Sequence, residues 1–115
     1  MKFYQTESGR APVEEFILKQ PGDTMVLLLN DLRALCSEYP NVKTVDIKHL
    51  RGKLWEIKER IEKKNYRIIY AVVGPDLVIV HGFIKKKGRI NDEIKIAEQR
   101  LKDFYQNLKR ERTGR

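Results

Sequence analysis

Three apolar segments separated by short polar breaks constrain the fold of this chain more than any other feature. They cover residues 54–61, 66–73 and 77–85. The first alternates apolar and polar residues, which is the period of a strand with one buried face. The other two are apolar at most positions, which is typical of strands covered on both faces. The breaks at residues 62–65 and 74–76 are short enough for hairpins, so the pattern predicts three adjacent antiparallel strands.

The rest of the chain is predicted to be mainly helical. Pro12 suits the first turn of a helix, Asp23 or Thr24 is predicted to cap a second helix, and Asn91 is predicted to cap a third. Each helix carries apolar residues at helical spacing. The predicted bounds are residues 2–6 for an opening strand, Pro12 to Pro21, Asp23 to Pro40 and Asn91 to Lys109 for the helices, and 110–115 for a frayed tail.

This order, β-α-α-β-β-β-α, predicts a single α+β domain over residues 1–115. We expect a small, twisted, mostly antiparallel sheet with two N-terminal helices and one C-terminal helix, all on one face. No apolar run reaches the roughly 18 residues of a membrane span, so we expect no membrane association. The single cysteine, Cys36, lies in a leucine-rich helical segment and is interpreted as a core residue of a cytoplasmic protein.

Positive charge is concentrated in the second half of the chain. Residues 1–47 contain 5 Lys and Arg against 7 Asp and Glu, whereas residues 48–115 contain 19 against 9. Much of this charge lies on or beside the predicted strands. Such a distribution favours a surface that binds a polyanion, and RNA is the leading candidate. The alternative is an ordinary lysine-rich, solvated surface.

Arg67 is the most informative single residue, because it lies in the middle of an apolar strand. A buried charge without a partner costs several kcal/mol. One interpretation is an ion pair with Glu56 or Glu59 across the hairpin. The other is a guanidinium held rigidly to offer donors to phosphate oxygens, as electrostatic catalysis requires.

The remaining candidate residues have the same two interpretations. Lys58 and Arg60 share one face of their strand, and three lysines follow the last strand at positions 85–87. These cations either belong to an RNA-binding or catalytic site or lie on a solvated strand face or strand end. His81 is either a satisfied core residue or a general acid or base. Neither histidine has a carboxylate or cysteine at metal-ligand spacing, so no metal site is predicted.

Taken in order, these segments resemble the RelE/HigB superfamily of toxins from type II toxin–antitoxin systems, in its HigB-like, phage-type branch. The resemblance is clear over about residues 48–104 and is only a pattern in the two N-terminal helices. It rests on Leu50-Arg51-Gly52, Leu54-Trp55-Glu56-Ile57, Tyr66-Arg67-Ile68-Ile69-Tyr70, His81-Gly82-Phe83-Ile84-Lys85-Lys86, and Glu93, Ile94, Ala97 and Arg100 of the last helix.

The resemblance implies a RelE-like fold and a metal-independent and cofactor-free mRNA interferase. Such an enzyme cleaves mRNA on the ribosome by attack of a ribose 2′-hydroxyl on the adjacent phosphate. Arg67 corresponds to the family's strand arginine, which contacts the scissile phosphate. Lys58 and either Lys85 or Lys86 correspond to basic positions of the site, and His81 is a possible acid or base. The expected RNA-binding cations are Lys48, Lys53, Arg60, Lys87 and Arg89.

The chain also departs from the family pattern at two positions. Glu56 stands where some relatives have a lysine, and Tyr105 lies too far along the last helix to match their C-terminal tyrosine. The resemblance further implies an antitoxin partner, expected to be a helix-turn-helix, HigA-like protein, in a possible toxin–antitoxin heterotetramer. The alternatives are a non-catalytic RNA- or ribosome-binding module, or a basic face that only receives an acidic antitoxin segment.

Overall fold

The three apolar segments form neighbouring antiparallel strands in the computed structural model, which describes residues 1–88 and 90–113. The strand over residues 54–61 has the predicted bounds, and its two partners begin one or two residues earlier than predicted. The elements, in chain order, are β1 (Lys2–Phe3), α1 (Pro12–Leu18), α2 (Gly22–Glu38), β2 (Ile47–Arg51), β3 (Leu54–Ile61), β4 (Lys64–Val73), β5 (Asp76–Ile84) and α3 (Ile90–Thr113).

The predicted α+β fold class is confirmed, with one strand more than the sequence indicated. The order is β-α-α-β-β-β-β-α, and the sheet has the strand order β1-β5-β4-β3-β2. β1 runs parallel to β5, and the other pairs are antiparallel. The additional strand, β2, was missed because it is a short edge strand. Three of its five residues are exposed, so it lacks a strong apolar signal.

The helices lie on both faces of the sheet, which corrects the prediction that all three share one face. α1 packs on β5 and α2 on β3, and they cover a core that includes Ile57, Ile68 and Ile79. α3 packs on β5 and β4 from the other side, over a second core that includes Ile69 and Val80. β4 and β5 therefore need apolar residues at both parities, as their sequences have. We call the side that carries α3 the α3 face.

Gly82 interrupts the apolar run of β5 because α1 approaches the sheet closely there. A Cβ atom at this position would lie 2.8 Å from Cδ2 of Phe16, which is closer than van der Waals contact allows. The phenyl ring of Phe16 packs against the first core cluster. A glycine in this strand thus allows the first helix to pack closely.

Several predicted element ends differ from the structure. α2 begins at Gly22 with Pro21 as its N-cap and no side-chain cap, so neither Asp23 nor Thr24 caps it. α3 begins at Ile90, so Asn91 lies inside the helix. The loop expected over residues 62–65 is a two-residue turn, because Ile61 pairs with Lys64.

Three further predictions concern the opening strand, the core and the C-terminal segment. The opening strand is limited to Lys2–Phe3, although the backbone N–H of Tyr4 still donates to the carbonyl of Ile79. Cys36 is half-buried and packs against the first core cluster. α3 continues to Thr113, into the segment that we expected to fray.

Candidate nucleic-acid interface

Residues on the α3 face change from apolar to charged along the strands. Because residues that pair across antiparallel strands project to the same face, the register gives four successive rows on β3, β4 and β5. The rows are Leu54, Ala71 and Val78; Glu56, Ile69 and His81; Lys58, Arg67 and Phe83; and Arg60, Asn65 and Lys85. The first row belongs to the core under α3. The cations gather in the last two rows, at the end of the sheet near the start of α3.

We call Lys58, Arg60, Arg67 and Lys85 the cation cluster. Lys58 is half-buried and lies directly opposite Arg67, whereas Arg60 and Lys85 are exposed at the rim. The backbone N–H of Lys85 donates to the carbonyl of Asn65 at 2.7 Å, which extends the strand pairing by one residue and fixes the start of this side chain. The structure thus brings together four cations predicted from sequence.

Arg67 is buried, with 8% of its surface exposed, and its Nε atom lies 3.6 Å from Oε1 of Glu56. This contact is the ion pair that the sequence left open as an alternative, and Glu56 is its partner. The separation exceeds hydrogen-bond length. In the described part of the chain, the Nε of Arg67 and the Oε2 of Glu56 are both buried without a hydrogen-bond partner. Arg67 and Glu56 therefore form a buried ion pair without a direct hydrogen bond.

The guanidinium of Arg67 is held on two sides. Nη1 donates to the carbonyl of Tyr66 at 3.3 Å, and Nε faces the Glu56 carboxylate. Within residues 1–88 and 90–113, Nη2 makes no hydrogen bond, and it is not one of the buried unpartnered atoms. Nη2 is therefore the donor of this side chain that remains for a ligand oxygen.

Glu59 was the other possible partner of Arg67, and the structure places it on the opposite face of the sheet. There it accepts a hydrogen bond from Asp31 of α2. Burial, and then this hydrogen bond and the repulsion from Glu59, raise the pKa of Asp31 to about 8. The raised pKa favours the protonated form of Asp31, and the Glu59 side chain lies on the opposite face of the sheet from the cation cluster.

His81 lies inside a polar network beneath α3. Its Nε2 is 2.7 Å from Oε2 of Glu93, and its Nδ1 is 3.2 Å from Nη1 of Arg100, which also donates to the carbonyl of Val80. Burial is the main cause that lowers the pKa of His81. A neutral ring can donate from Nε2 to Glu93 and accept at Nδ1 from Arg100, so that both ring nitrogens are hydrogen-bonded. This geometry favours the core interpretation over proton transfer.

The other predicted cations surround this end of the sheet or lie beyond it. Lys86 and Lys87 are exposed in the segment after β5. Lys48 of β2 pairs with Glu56 and shares the α3 face with the cluster. Lys53 lies in the β2–β3 turn, where its Nζ donates to the hydroxyl of Tyr105 at 3.0 Å. Arg89 lies outside the described residues.

Residues 15–102 match the model of the family described as phage derived protein Gp49-like (DUF891). The chain belongs to the Gp49-like family. This family is part of the RelE/HigB toxin-like superfamily and is associated with the toxins of toxin–antitoxin systems, which implies an antitoxin partner. No curated protein and no solved structure matches the chain.

In this Gp49-like chain, sequence reasoning found the cations but not the groups that hold them. Glu56 was recognised only as a departure from the family pattern and as one of two possible partners, and the choice depended on strand register. Glu93 and Arg100 were noted as part of the resemblance without their contacts to His81. Tyr105 was set aside because of its position, although the fold brings it to Lys53. These contacts join residues 11 to 52 positions apart, and one sequence does not show which of them form.

No group of three or more histidine, cysteine, aspartate or glutamate side chains in the described part of this Gp49-like chain is placed to hold a metal ion. A separate observation concerns membranes. Over residues 1–88 and 90–113, no helix has both the length and the apolar character needed to cross a bilayer.

Proposed function

We propose that this Gp49-like protein is a HigB-like toxin of a type II toxin–antitoxin module and acts as a ribosome-dependent mRNA interferase. The reaction is attack of a ribose 2′-hydroxyl on the adjacent phosphate. It forms a bond from the 2′-oxygen to phosphorus, breaks the bond to the 5′-oxygen and leaves a 2′,3′-cyclic phosphate. A base takes the proton of the 2′-hydroxyl, and an acid protonates the leaving 5′-oxygen.

The observation that carries this proposal is the row formed by Lys58, Arg67 and Phe83 at the open end of the sheet. In-line attack on a phosphate develops negative charge on the non-bridging oxygens, and fixed cations stabilise it. Glu56 and the Tyr66 carbonyl hold the guanidinium of Arg67, which leaves Nη2 for a phosphate oxygen. Lys58 lies directly opposite on the neighbouring strand.

The lysines also provide the proton donor that the leaving 5′-oxygen needs. Lys85 lies at the rim of the same face, and Lys86 follows it in the exposed segment. We assign Lys58 and Arg67 to the phosphate, and Lys85 or Lys86 to the leaving group. His81 has no free ring nitrogen in this arrangement, so the proposal gives it a structural role.

The test is cleavage of an mRNA in a translating extract by the variant Lys58→Ala/Lys85→Ala. Both side chains are at least partly exposed, so we expect the fold to be retained. Cleavage should fall by about 100-fold or more, since removing one electrostatic donor from such a site costs about 10²–10³ in rate. Arg67→Ala is less informative, because it leaves Glu56 buried without a partner, a change that costs about 3–5 kcal/mol of stability.

The matched control is Lys19→Ala/Lys43→Ala, which removes the same charge from exposed positions outside the cluster. This variant should cleave like the wild type. If the wild-type protein yields no cut transcript, or if both double variants lose activity equally, the enzymatic proposal is wrong.

A second candidate function is a non-catalytic RNA- or ribosome-binding module, favoured by the burial of Arg67 against Glu56 and by the satisfied ring of His81. Ribosome co-sedimentation at about 50 and 300 mM salt separates the possibilities, because cation–phosphate binding weakens steeply with salt. Salt-sensitive association without cleavage supports this second function. No association at either salt concentration instead supports a basic face that receives an acidic segment of the antitoxin.

The remaining elements of the proposal concern partners and location. We propose a helix-turn-helix, HigA-like antitoxin, assembly with it as a heterotetramer, and action in the cytoplasm, where ribosomes are found. Family membership supports the antitoxin itself. Affinity purification of the toxin from cells that express the neighbouring reading frame tests whether such a complex forms.

A further inference from the structure

A groove lies on the α3 face between the β2–β3 turn and α3, at the opposite end of β3 from the cation cluster. It has a volume of about 420 Å³. Leu54 and Leu101 contribute apolar side chains, and Arg51, Lys53 and Lys102 provide three cations. Glu98 is the one carboxylate in the lining, and it lies 3.8 Å from Arg51 in an ion pair. The groove is thus apolar in part and positively charged.

Tyr105 gives this groove an exposed aromatic ring. Its Oη accepts a hydrogen bond from Nζ of Lys53 at 3.0 Å, and this Nζ lies 5.3 Å from the ring centroid. The ammonium group therefore lies beside the hydroxyl end of the ring and not over its centre. Tyr105 is 37% exposed, so ring surface remains for another planar group.

We propose that this groove binds one nucleotide of single-stranded RNA, with the base stacked on Tyr105 and the adjacent phosphate beside Lys53 and Lys102. An apolar floor with an aromatic ring suits any base, and the cations suit the phosphate. An acidic peptide would pair with the cations, but its carboxylates would neither stack on the Tyr105 ring nor cover the two leucines. Charge complementarity and the exposed ring together therefore favour RNA.

The position of the groove allows it to be a second contact for an RNA strand that is bound at the cation cluster. Leu54 and Lys58 lie four residues apart on β3 and on the same face, a distance of about 13 Å at strand geometry. Lys48 lies between them, opposite Glu56. A strand of a few nucleotides can therefore follow this face from one site to the other. This inference rests on the proposed function for the identity of the ligand class, but not on catalysis.

The first experiment measures binding of oligouridines with 2′-O-methyl groups, which lack the attacking hydroxyl and cannot be cleaved. By fluorescence anisotropy, Tyr105→Ala should bind an eight-nucleotide strand at least about fivefold more weakly than wild type, as expected for the loss of one stacked base. Tyr105→Phe keeps the ring and should bind nearly as well as wild type.

Tyr39 provides the matched control, because it is also an exposed tyrosine, at 44%, and lies at the end of α2 on the other face of the sheet. Tyr39→Ala should leave binding unchanged. Irradiation of a strand that contains 5-iodouridine should cross-link it to Tyr105 and not to Tyr39, as mapped by mass spectrometry. Equal effects of the two alanine variants, or cross-links only outside the groove, would overturn the inference.

The result is distinguishable from failure of the proposed function. If Tyr105-dependent binding and cross-linking occur but no transcript is cut, the groove binds RNA and the enzymatic proposal fails. If transcripts are cut while Tyr105→Ala binds the eight-nucleotide strand like wild type, the enzyme stands and this inference fails. If polyglutamate binding depends on Tyr105 and RNA binding does not, the groove is a protein-binding site and the inference also fails.

Discussion

Arg67 shows how one residue can satisfy both interpretations that its sequence position suggested. It is buried against Glu56, as a structural ion pair requires, and Nη2 has no hydrogen-bond partner among residues 1–88 and 90–113. The carboxylate fixes the orientation of the guanidinium, and a fixed orientation is what a phosphate-binding arginine needs. An ion pair therefore does not remove Arg67 from the proposed site, and it explains why Glu56 is acceptable beside the cluster.

Asp31 gives a prediction at the same scale, concerning stability and pH. Its pKa is raised to about 8 from an ordinary value of 3.8, so the folded state retains a proton between these values that the unfolded chain releases. The contribution of protonated Asp31 to the free energy of unfolding is complete below about pH 4 and is lost as the pH rises toward 8. Asp31→Asn removes this loss and should be more stable than wild type at pH 8 by at least about 1 kcal/mol.

Urea unfolding of Asp31→Asn and wild type at pH 5 and pH 8 provides the measurement. The difference in the free energy of unfolding should be larger at pH 8 than at pH 5. Asp23→Asn, at an exposed position of the same helix, is the control and should show no such change. A difference that is the same at both pH values would contradict the assignment.

At the scale of elements, the β3–β4 hairpin has a turn whose residues do not suit its geometry. Glu62 and Lys63 have φ values of 48° and 68°, as a two-residue turn with both central residues in the left-handed region requires. Neither is Asn or Gly, the residues that adopt this conformation easily. Glu62→Asn/Lys63→Gly should therefore raise the free energy of unfolding by about 1 kcal/mol.

Chemical denaturation tests this prediction, with Glu62→Gln/Lys63→Gln as the control. The control removes the same two charges but keeps residues with ordinary backbone preferences, so its stability should remain near that of wild type. If the two variants are equally stable, the gain comes from charge and not from backbone conformation.

The elements also explain where sequence reasoning succeeded and where it did not. Alternation and apolar runs located β3, β4 and β5, because burial on one or both faces determines which positions of a strand are apolar. β2 is a short edge strand, so its placement depends on pairing with β3 and not on its own residues. The double-sided apolar character of β4 and β5 already required cover on both faces, and α3 provides the second cover.

At the scale of the whole molecule, the charge asymmetry becomes a localised surface. The basic second half of the chain places the cation cluster at one end of the α3 face and the groove of Lys53 and Tyr105 near the other. α3 covers the β4–β5 side between them, which leaves the β3–β2 side open. We expect RNA to bind along this open side.

Such an open surface predicts poor cleavage of RNA that is not held by the ribosome. A small sheet with exposed cations binds phosphate but does not align the 2′-oxygen with the leaving oxygen, and lost alignment can cost several orders of magnitude in rate. We expect the same transcript to be cut at least about 100-fold faster in a translating extract than as naked RNA at equal concentrations. Gel electrophoresis of the two reactions measures this ratio, and comparable rates would contradict it.

The sequence by itself determined the fold class, the three central strands and the types of residue in the cation cluster, because periodicity and burial are local properties. It also indicated the resemblance to the RelE/HigB superfamily, which the family match supports at the level of the superfamily. Only the tertiary structure decided which carboxylate faces Arg67, which side of the sheet α3 covers and that Tyr105 reaches Lys53. These facts depend on strand register and on contacts between distant residues, since a shift of one residue in pairing moves every side chain to the other face.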